Sequence, residues 1–342
     1  MMSGDVPGVD TNAFGGRRPV RTGLVGYGYW GKKLLASLQA SDDFVPQRLH
    51  YPSLLQMAEA DRPQLLGVTL TDTLEALLAD PELDAVVLAT PIDCHGEGVR
   101  AALTSGKHVL VAKPLCLDPS EAHDLARLAE GRNLQLQTEY TWAFSPSLRE
   151  AQRLVNDGLI GRVTQVHVRL HQLGRFLEHD VYPLLVSHAL SIVSMFLDPT
   201  QVVWTQRAAV GPDEATTTVV LSGVAADGAT VVIDASLDDP ERDRSVLLVG
   251  EEGSVRFGPL GEGPTLVALR YSRQPTGTLE SSSRVAREVT YDESDNIGQA
   301  LAAFARVLRG EEPSNIQQSV GITEVMARLC SLAEAPRVRA AD

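Results

Sequence analysis

Gly26, Gly28 and Gly31 stand in the spacing Gly-x-Gly-x-x-Gly, and their surroundings give that spacing a chemical use. An apolar run from Val20 to Val25 leads in. Lys32 to Ala40, with Leu34, Leu35 and Leu38 at helical spacing, leads out. Strand, glycine turn and helix in that order make a dinucleotide-binding fingerprint. Gly26 permits the tight turn, Gly28 lets the main chain approach a pyrophosphate, and Gly31 lets the helix pack close to the strand. The helix N-terminus then offers free N–H groups and a positive dipole end to the phosphates. Tyr29 and Trp30 sit inside the turn, where they either flank the pyrophosphate or pack inward. A second strand is expected over Phe44–His50, weakened by Pro46. In NAD-binding folds a carboxylate at the end of that strand bonds the ribose. Here the end reads Arg48-Leu49-His50-Tyr51-Pro52-Ser53, with no carboxylate. Arg48, His50 or Ser53 are candidates to meet a 2′-phosphate, which inclines the reading to NADP over NAD, with a solvated loop as the alternative.

The elements that must hold this turn follow from the rest of the chain. At 342 residues it is natural for two domains. The net charge of −14 argues against a nucleic-acid partner, which needs a basic face. Cys94, Cys116 and Cys330 are scattered, with no Cys-x-x-Cys pair or Cys/His cluster, so neither a metal site nor a disulfide framework is expected. No run has the length of a membrane span, and a cytoplasmic protein with reduced thiols is expected. Residues 1–18 read as a disordered tail. Arg17-Arg18 superficially resembles a twin-arginine signal, but a strand and not a cleavable apolar segment follows it, so export is not expected.

Strands and helices alternate through residues 19–140, a doubly wound parallel sheet of the Rossmann type. A short helix is expected over Gln56–Ala60, strands at Leu66–Thr71 and Asp84–Thr90, and a helix at Thr73–Leu78 capped by Thr71 or Thr73. A helix over Gly96–Ser105, a strand over His108–Ala112, a helix over Pro119–Gly131 and a strand over Leu134–Tyr140 complete this domain. Thr90-Pro91 and Lys113-Pro114 fall at strand ends, the carboxyl edge where such sheets bind ligands. The pattern changes over 141–342, read as an α+β domain with a large open antiparallel sheet. A helix over Pro146–Asp157, a half-exposed strand over Val163–Leu173 and a long helix over Val181–Leu197 open it. Runs rich in β-branched residues follow, then a polar loop over Pro275–Arg284 and two closing helices, Asn296–Arg309 and Gln317–Glu334. Val219-Val220-Leu221 and Val231-Val232-Ile233 are apolar on both strand faces, which suggests a homodimer or homotetramer built on that sheet.

Several stretches together resemble one family. Thr90-Pro91-x-x-x-His95, then Ala101-Ala102-Leu103-x-x-Gly106-Lys107-His108-Val109-Leu110-Val111-Ala112-Lys113-Pro114-Leu115, is similar to the Gfo/Idh/MocA family of NAD(P)-dependent oxidoreductases. Asp157-Gly158-x-Ile160-Gly161-x-Val163 resembles that family's helix-to-sheet passage, and Gly250 to Val255 its late hairpin. The likeness runs over roughly residues 20 to 335.

The resemblance implies roles for particular residues. The family's Glu-Lys-Pro signature reads Ala112-Lys113-Pro114 here, so the lysine is kept and the glutamate lost. By resemblance Lys113 lies between nicotinamide and the substrate oxygen, where an ammonium can stabilise a developing alkoxide. The family's second catalytic position corresponds to His188. The usual aspartates four residues before and three after are replaced by Leu184 and Ser191. Asp180 would share the helix face of His188 if the helix starts early enough, and stands as a partial substitute. Tyr182 and Arg175 are weaker candidates for a substrate pocket. Thr90, Pro91 and His95 belong by resemblance near the nicotinamide half, and Glu139-Tyr140 could approach the same side. The implied activity is hydride transfer between NAD or NADP and a carbonyl or imine carbon of a small polar molecule such as a sugar, nucleotide-sugar or cyclitol. Two rivals stand beside it: a non-catalytic dinucleotide-binding regulator, and an NAD-dependent glycosidase-like enzyme.

Overall fold

The computed structural model describes residues 18–58, 63, 65–173, 180–210, 215–258, 265–273 and 279–333. Residues 1–17 of the tail expected over 1–18 lie outside the described residues, as do Arg175, part of the helix expected at 56–60 and the first residues of the polar loop expected at 275–284, whereas Arg18 is described and forms a salt bridge with Asp84 at 2.7 Å. The chain divides into two compact units: residues up to Tyr140 with Ile297–Thr323, and Thr141–Asn296 with the chain from Glu324 onward.

The first unit is built on a parallel sheet of β1 (Val20–Val25), β2 (Phe44–His50), β3 (Thr69–Leu70), β4 (Ala85–Leu88), β5 (His108–Ala112) and β6 (Leu136–Glu139). Their order is β3-β2-β1-β4-β5-β6, with the reversal beside β1 that defines a doubly wound sheet. Pro46 sits inside β2, and the β1–β2 ladder slips a residue between Thr22 and Gly23 beside it. A proline has no N–H for the ladder, so the strand accommodates it with an irregularity. The helices are α1 (Tyr29–Ala40), α2 (Pro52–Leu55), α3 (Leu74–Leu78), α4 (His95–Thr104) and α5 (Pro119–Gly131). Residues 56–58 of the expected helix are not helical; the described helix here is α2, which Pro52 with its fixed φ starts. Thr73, and not Thr71, caps α3 by accepting from the Ala76 N–H.

Two cores cover the sheet. One joins α4 and α5 to Val86, Leu88, Val109, Val111 and Leu136. The other joins α1 to Leu24, Val87 and Leu110, and it includes Leu301, Phe304, Ala305 and Leu308 of α8 (Asn296–Leu308). Phe304 stacks on Phe44 of β2 with ring centroids 6.2 Å apart. Chain order alone puts α8 with residues 141–342; its apolar face instead completes the first unit's core. Asn315, just before α9 (Ile316–Ala333), covers the edge of β6: its amide accepts from Thr138 N at 2.9 Å and donates to Thr138 O at 2.8 Å. That pair satisfies an edge strand's open backbone groups.

The second unit carries α6 (Pro146–Asn156), α7 (Ser187–Val193) and an eight-stranded sheet ordered β14-β13-β12-β11-β7-β10-β9-β8. The strands are β7 (Val163–Leu173), β8 (Val202–Val210), β9 (Thr216–Ala225), β10 (Thr230–Ser236), β11 (Asp238–Gly250), β12 (Gly253–Phe257), β13 (Leu266–Arg273) and β14 (Leu279–Val289). All neighbouring pairs are antiparallel except β7 with β10, which is parallel. The polar stretch expected as loop through Arg284 is in part β14, held by pairing with β13. Its polarity marks an edge strand, not a loop. The long helix expected over Val181–Leu197 is also corrected. It begins with a π-helical turn, Tyr182–Val186, before the regular α7.

Candidate functional site

The glycine turn is set by sterics that can be read atom by atom. Gly26 has φ +94°, a left-handed conformation that side chains disfavour, and a Cβ there would lie 2.4 Å from Ala89 O. A Cβ on Gly31 would lie 2.2 Å from Gly26 O. Both positions bring backbone onto backbone. Gly28 differs, since a Cβ there would meet nothing within 4 Å. Gly28 is the N-cap of α1, and no side chain caps that end. The first N–H groups of α1 thus stand over an open space that a side chain would fill, which fits an approaching pyrophosphate.

Around the turn, Tyr29 is 57% exposed and Trp30 is half-buried. The Lys33 ammonium lies 4.6 Å from the Tyr29 ring centroid. At the end of β2, the His50 carbonyl accepts from Gly26 N, and His50 Nδ1 lies 3.2 Å from Thr71 O. Arg48 forms a salt bridge with Asp80 at 2.8 Å. The guanidinium expected to meet a 2′-phosphate thus has a carboxylate partner within its own unit, which leaves His50 as the nearer side chain to the strand end.

Thr90 and Pro91 follow β4 directly, and Lys113 follows β5, with a cis Lys113–Pro114 peptide bond. His95 ties these two turns together. Its Nδ1 lies 2.8 Å from Pro114 O and its Nε2 3.0 Å from Thr90 O. It is only 2% exposed, and its ring nitrogens face backbone carbonyls. A neutral imidazole donates from one nitrogen at a time. Desolvation is the largest influence on it and lowers its pKa; the two carbonyls raise it, and the Lys113 charge lowers it again. His95 therefore lies between the strand ends that carry Thr90 and Lys113, donating to one of the two carbonyls when neutral and to both when protonated.

Lys113 is half-buried. Desolvation lowers its pKa to about 8, while the Glu139 carboxylate pulls in the opposite direction. Glu139 is 1% exposed and accepts from Trp30 Nε1 at 3.0 Å. It pairs across the sheet with Ala112. The sequence names Glu139 as a group able to approach the nicotinamide side, but does not show that it links Lys113 to the glycine turn. The available signal was an acidic residue closing a strand whose preceding residues are buried.

In the second unit His188 lies on α7 and stacks on Trp142, with ring centroids 4.9 Å apart and planes at 9°. The Arg244 guanidinium lies 4.4 Å from the same indole's centroid. Asp180 stands just before the π-helical turn, so it does not share a regular α-helical face with His188. Its carboxylate accepts from the backbone N–H groups of Val181, Tyr182 and Thr216, and burial raises its pKa against those bonds. The physical reason is the π-helical turn, whose wider winding breaks the 3.6-residue spacing between 180 and 188. Tyr182 is buried and donates to Gln206 Oε1 at 2.8 Å, tying that turn to β8.

A shallow depression of about 400 Å³ lined by Arg18, Pro19, Arg21, Val45 and Gln47 lies at the opposite, amino-terminal edge of the parallel sheet. No group of three or more metal-ligating side chains occurs among the described residues, and no described helix is long and apolar enough to cross a membrane.

Residues 20–140 match the oxidoreductase family described as Gfo/Idh/MocA with an NAD-binding Rossmann fold, and residues 148–256 match its C-terminal domain. The chain belongs to the Gfo/Idh/MocA oxidoreductase family. An uncharacterized oxidoreductase of Streptococcus pneumoniae is 30% identical over 43% of this chain and 39% of its own length, so the chain spans less than half of that curated relative in the match. A D-xylose 1-dehydrogenase (NADP+) of Haloferax volcanii is 28% identical over 89% of this chain and 94% of its own. Among solved structures, a 3-ketoreductase of Actinomadura kijaniata in complex with NADP and TDP-benzene aligns with a TM-score of 0.75 at 17% identity, covering 90% of this chain and 96% of that one. At that identity the likeness shows the fold.

Proposed function

We propose that the protein is an NAD(P)-dependent oxidoreductase that moves a hydride between nicotinamide and a carbonyl or imine carbon of a sugar, nucleotide-sugar or related polar molecule. Lys113 carries the reading. Its ammonium is partly withdrawn from water, its pKa is about 8, and it stands just beyond β5 at the carboxyl edge shared with the glycine turn. A nicotinamide, when bound, supplies the hydride chemistry. Gly26, Gly28 and the start of α1 hold its pyrophosphate, and Tyr29, Trp30, Thr90 and Pro91 border it. Lys113 donates a hydrogen bond and a proton to the substrate oxygen in the reductive direction, and in the oxidative direction its neutral amine accepts that proton. His188, on its own unit, is the second group we assign to proton transfer. The 2′-phosphate of NADP meets His50 more readily than Arg48, which is bound to Asp80. The NADP-linked relative from Haloferax volcanii supports this preference.

The test mixes purified protein with NADPH or NADH and a panel of 3-keto nucleotide-sugars, keto-sugars, cyclitol ketones and imines, and follows nicotinamide absorbance. Turnover with a keto-sugar is expected. Tight coenzyme binding with no turnover of any substrate class would overturn the assignment in favour of a binding role. We also propose that the outer faces of β8 and β9, where Val203, Val220 and Val224 are exposed, contact a second copy in a homodimer or homotetramer. A monomeric mass by light scattering contradicts that.

A further inference from the structure

We propose that Glu139 is the carboxylate partner of Lys113, supplied from β6 in place of the one that Ala112 leaves out of β5, and that it holds the lysine and the indole of Trp30 in one corner. This rests on the reading of Lys113 as the proton donor. Ala112 and Glu139 are direct neighbours in the parallel ladder. Neighbouring strands run about 4.8 Å apart, and paired residues point to the same face. Leu110, two residues before Ala112 on that face, packs in the α1 core, which is also where Trp30 packs. A longer acidic side chain at 112 would therefore enter the space that the Glu139 carboxylate already occupies. One carboxylate fits there beside one ammonium, and it can come from either strand.

The arrangement gives Glu139 two tasks. Its Oε2 accepts from Trp30 Nε1, which fixes the first turn of α1 to the end of β6. Its charge opposes the desolvation that lowers the Lys113 pKa. Glu139 from β6 and His95 from α4 both act electrostatically on Lys113. His95 is pushed toward its neutral form by burial, whereas the Glu139 carboxylate is a countercharge that favours the protonated ammonium. Asn315 bonds both backbone groups of Thr138 and so holds the strand end that carries Glu139 in register. Glu139 is a positioning residue: it acts on substrate through Lys113 and on the coenzyme turn through Trp30.

The experiment reads the titration of Lys113 in the full chain, without coenzyme or substrate. The pH dependence of Lys113 acetylation is followed by peptide mass spectrometry, and the Trp30 indole N–H by NMR. Glu139→Gln is expected to lower the proton affinity of Lys113 about tenfold, one pH unit on its curve, and to shift the Trp30 resonance. The exchange Ala112→Glu with Glu139→Ala is expected to return the Lys113 curve to its parental position while the indole bond stays lost. An unmoved curve in Glu139→Gln, or an exchange variant that titrates like Glu139→Gln, overturns the proposal. If the curves move as expected while Lys113→Ala keeps full turnover, the pairing stands and the functional reading fails.

Discussion

Two regions of this molecule face the same deficit and meet it differently. Lys113 lacks the acidic neighbour that the family pattern places before it, and His188 lacks both aspartates around it on its helix. In the parallel sheet the deficit is met with charge, since Glu139 arrives from the next strand at the position paired with Ala112. On α7 it is met with shape, since Trp142 stacks on His188 and Arg244 lies over the same indole. The chemistry of the two side chains explains the contrast. A lysine drawn out of water must keep a countercharge or lose its proton. An imidazole can also be held in place by a flat ring packed against it.

That contrast can be broken first at Lys113. Lys113→Ala is expected to lower kcat by about 10²- to 10⁴-fold, the range of a lost acid–base group. Coenzyme affinity should stay nearly unchanged, as read by fluorescence titration. His188→Phe keeps a ring on Trp142 but removes the proton-carrying atoms, and kcat should fall about a hundredfold. If His188→Phe matches the parent, the second region is structural only. Gly28→Ala comes next. Its Cβ meets no protein atom, so the fold is retained by circular dichroism. The side chain intrudes where the pyrophosphate approaches, weakening coenzyme binding about tenfold to a hundredfold, as one or two charge-assisted hydrogen bonds would. Gly31→Ala, set against Gly26 O, should instead fail to fold normally.

The pH dependence separates the two regions further. Lys113 has a folded pKa of about 8, so its ammonium is present below that value and lost above it. Reduction is therefore expected to be flat below about pH 8 and to fall roughly tenfold per unit above it, while oxidation rises through the same range. Glu139→Gln should move that break to lower pH, and Trp142→Leu should leave it in place. The smallest expected effect is that of Trp142→Leu on kcat itself. Losing an aromatic contact worth about 0.5–1.5 kcal/mol should cost roughly threefold to tenfold.

What could be read from residues alone divides along the same physical line. β1, β5, α5 and β7 occupy the spans expected for them, because runs such as Val109-Leu110-Val111 and the alternation across Val163–Leu173 are local signals. The glycine turn was legible because its spacing is itself a steric instruction. Contacts between distant segments left no such mark. Nothing near Phe304 says that α8 completes the core beside Phe44 and Leu110, and nothing near Leu279 says that a polar strand will be held by pairing with β13. Asp180 misled for a related reason. Its spacing to His188 assumes 3.6 residues per turn, and the π-helical turn at Tyr182–Val186 breaks that regularity. Glu139 could be placed near the nicotinamide side, but its partnership with Lys113 depends on strand register, which periodicity does not encode.

A crystal structure with NADPH bound tests the central claim most directly. The expected result is a pyrophosphate against Gly28 and the start of α1, with the nicotinamide beside Lys113 and the lysine ammonium directed at the substrate side of its ring. A coenzyme bound elsewhere, or a Lys113 ammonium turned into bulk water while the glycine turn is filled, would contradict it.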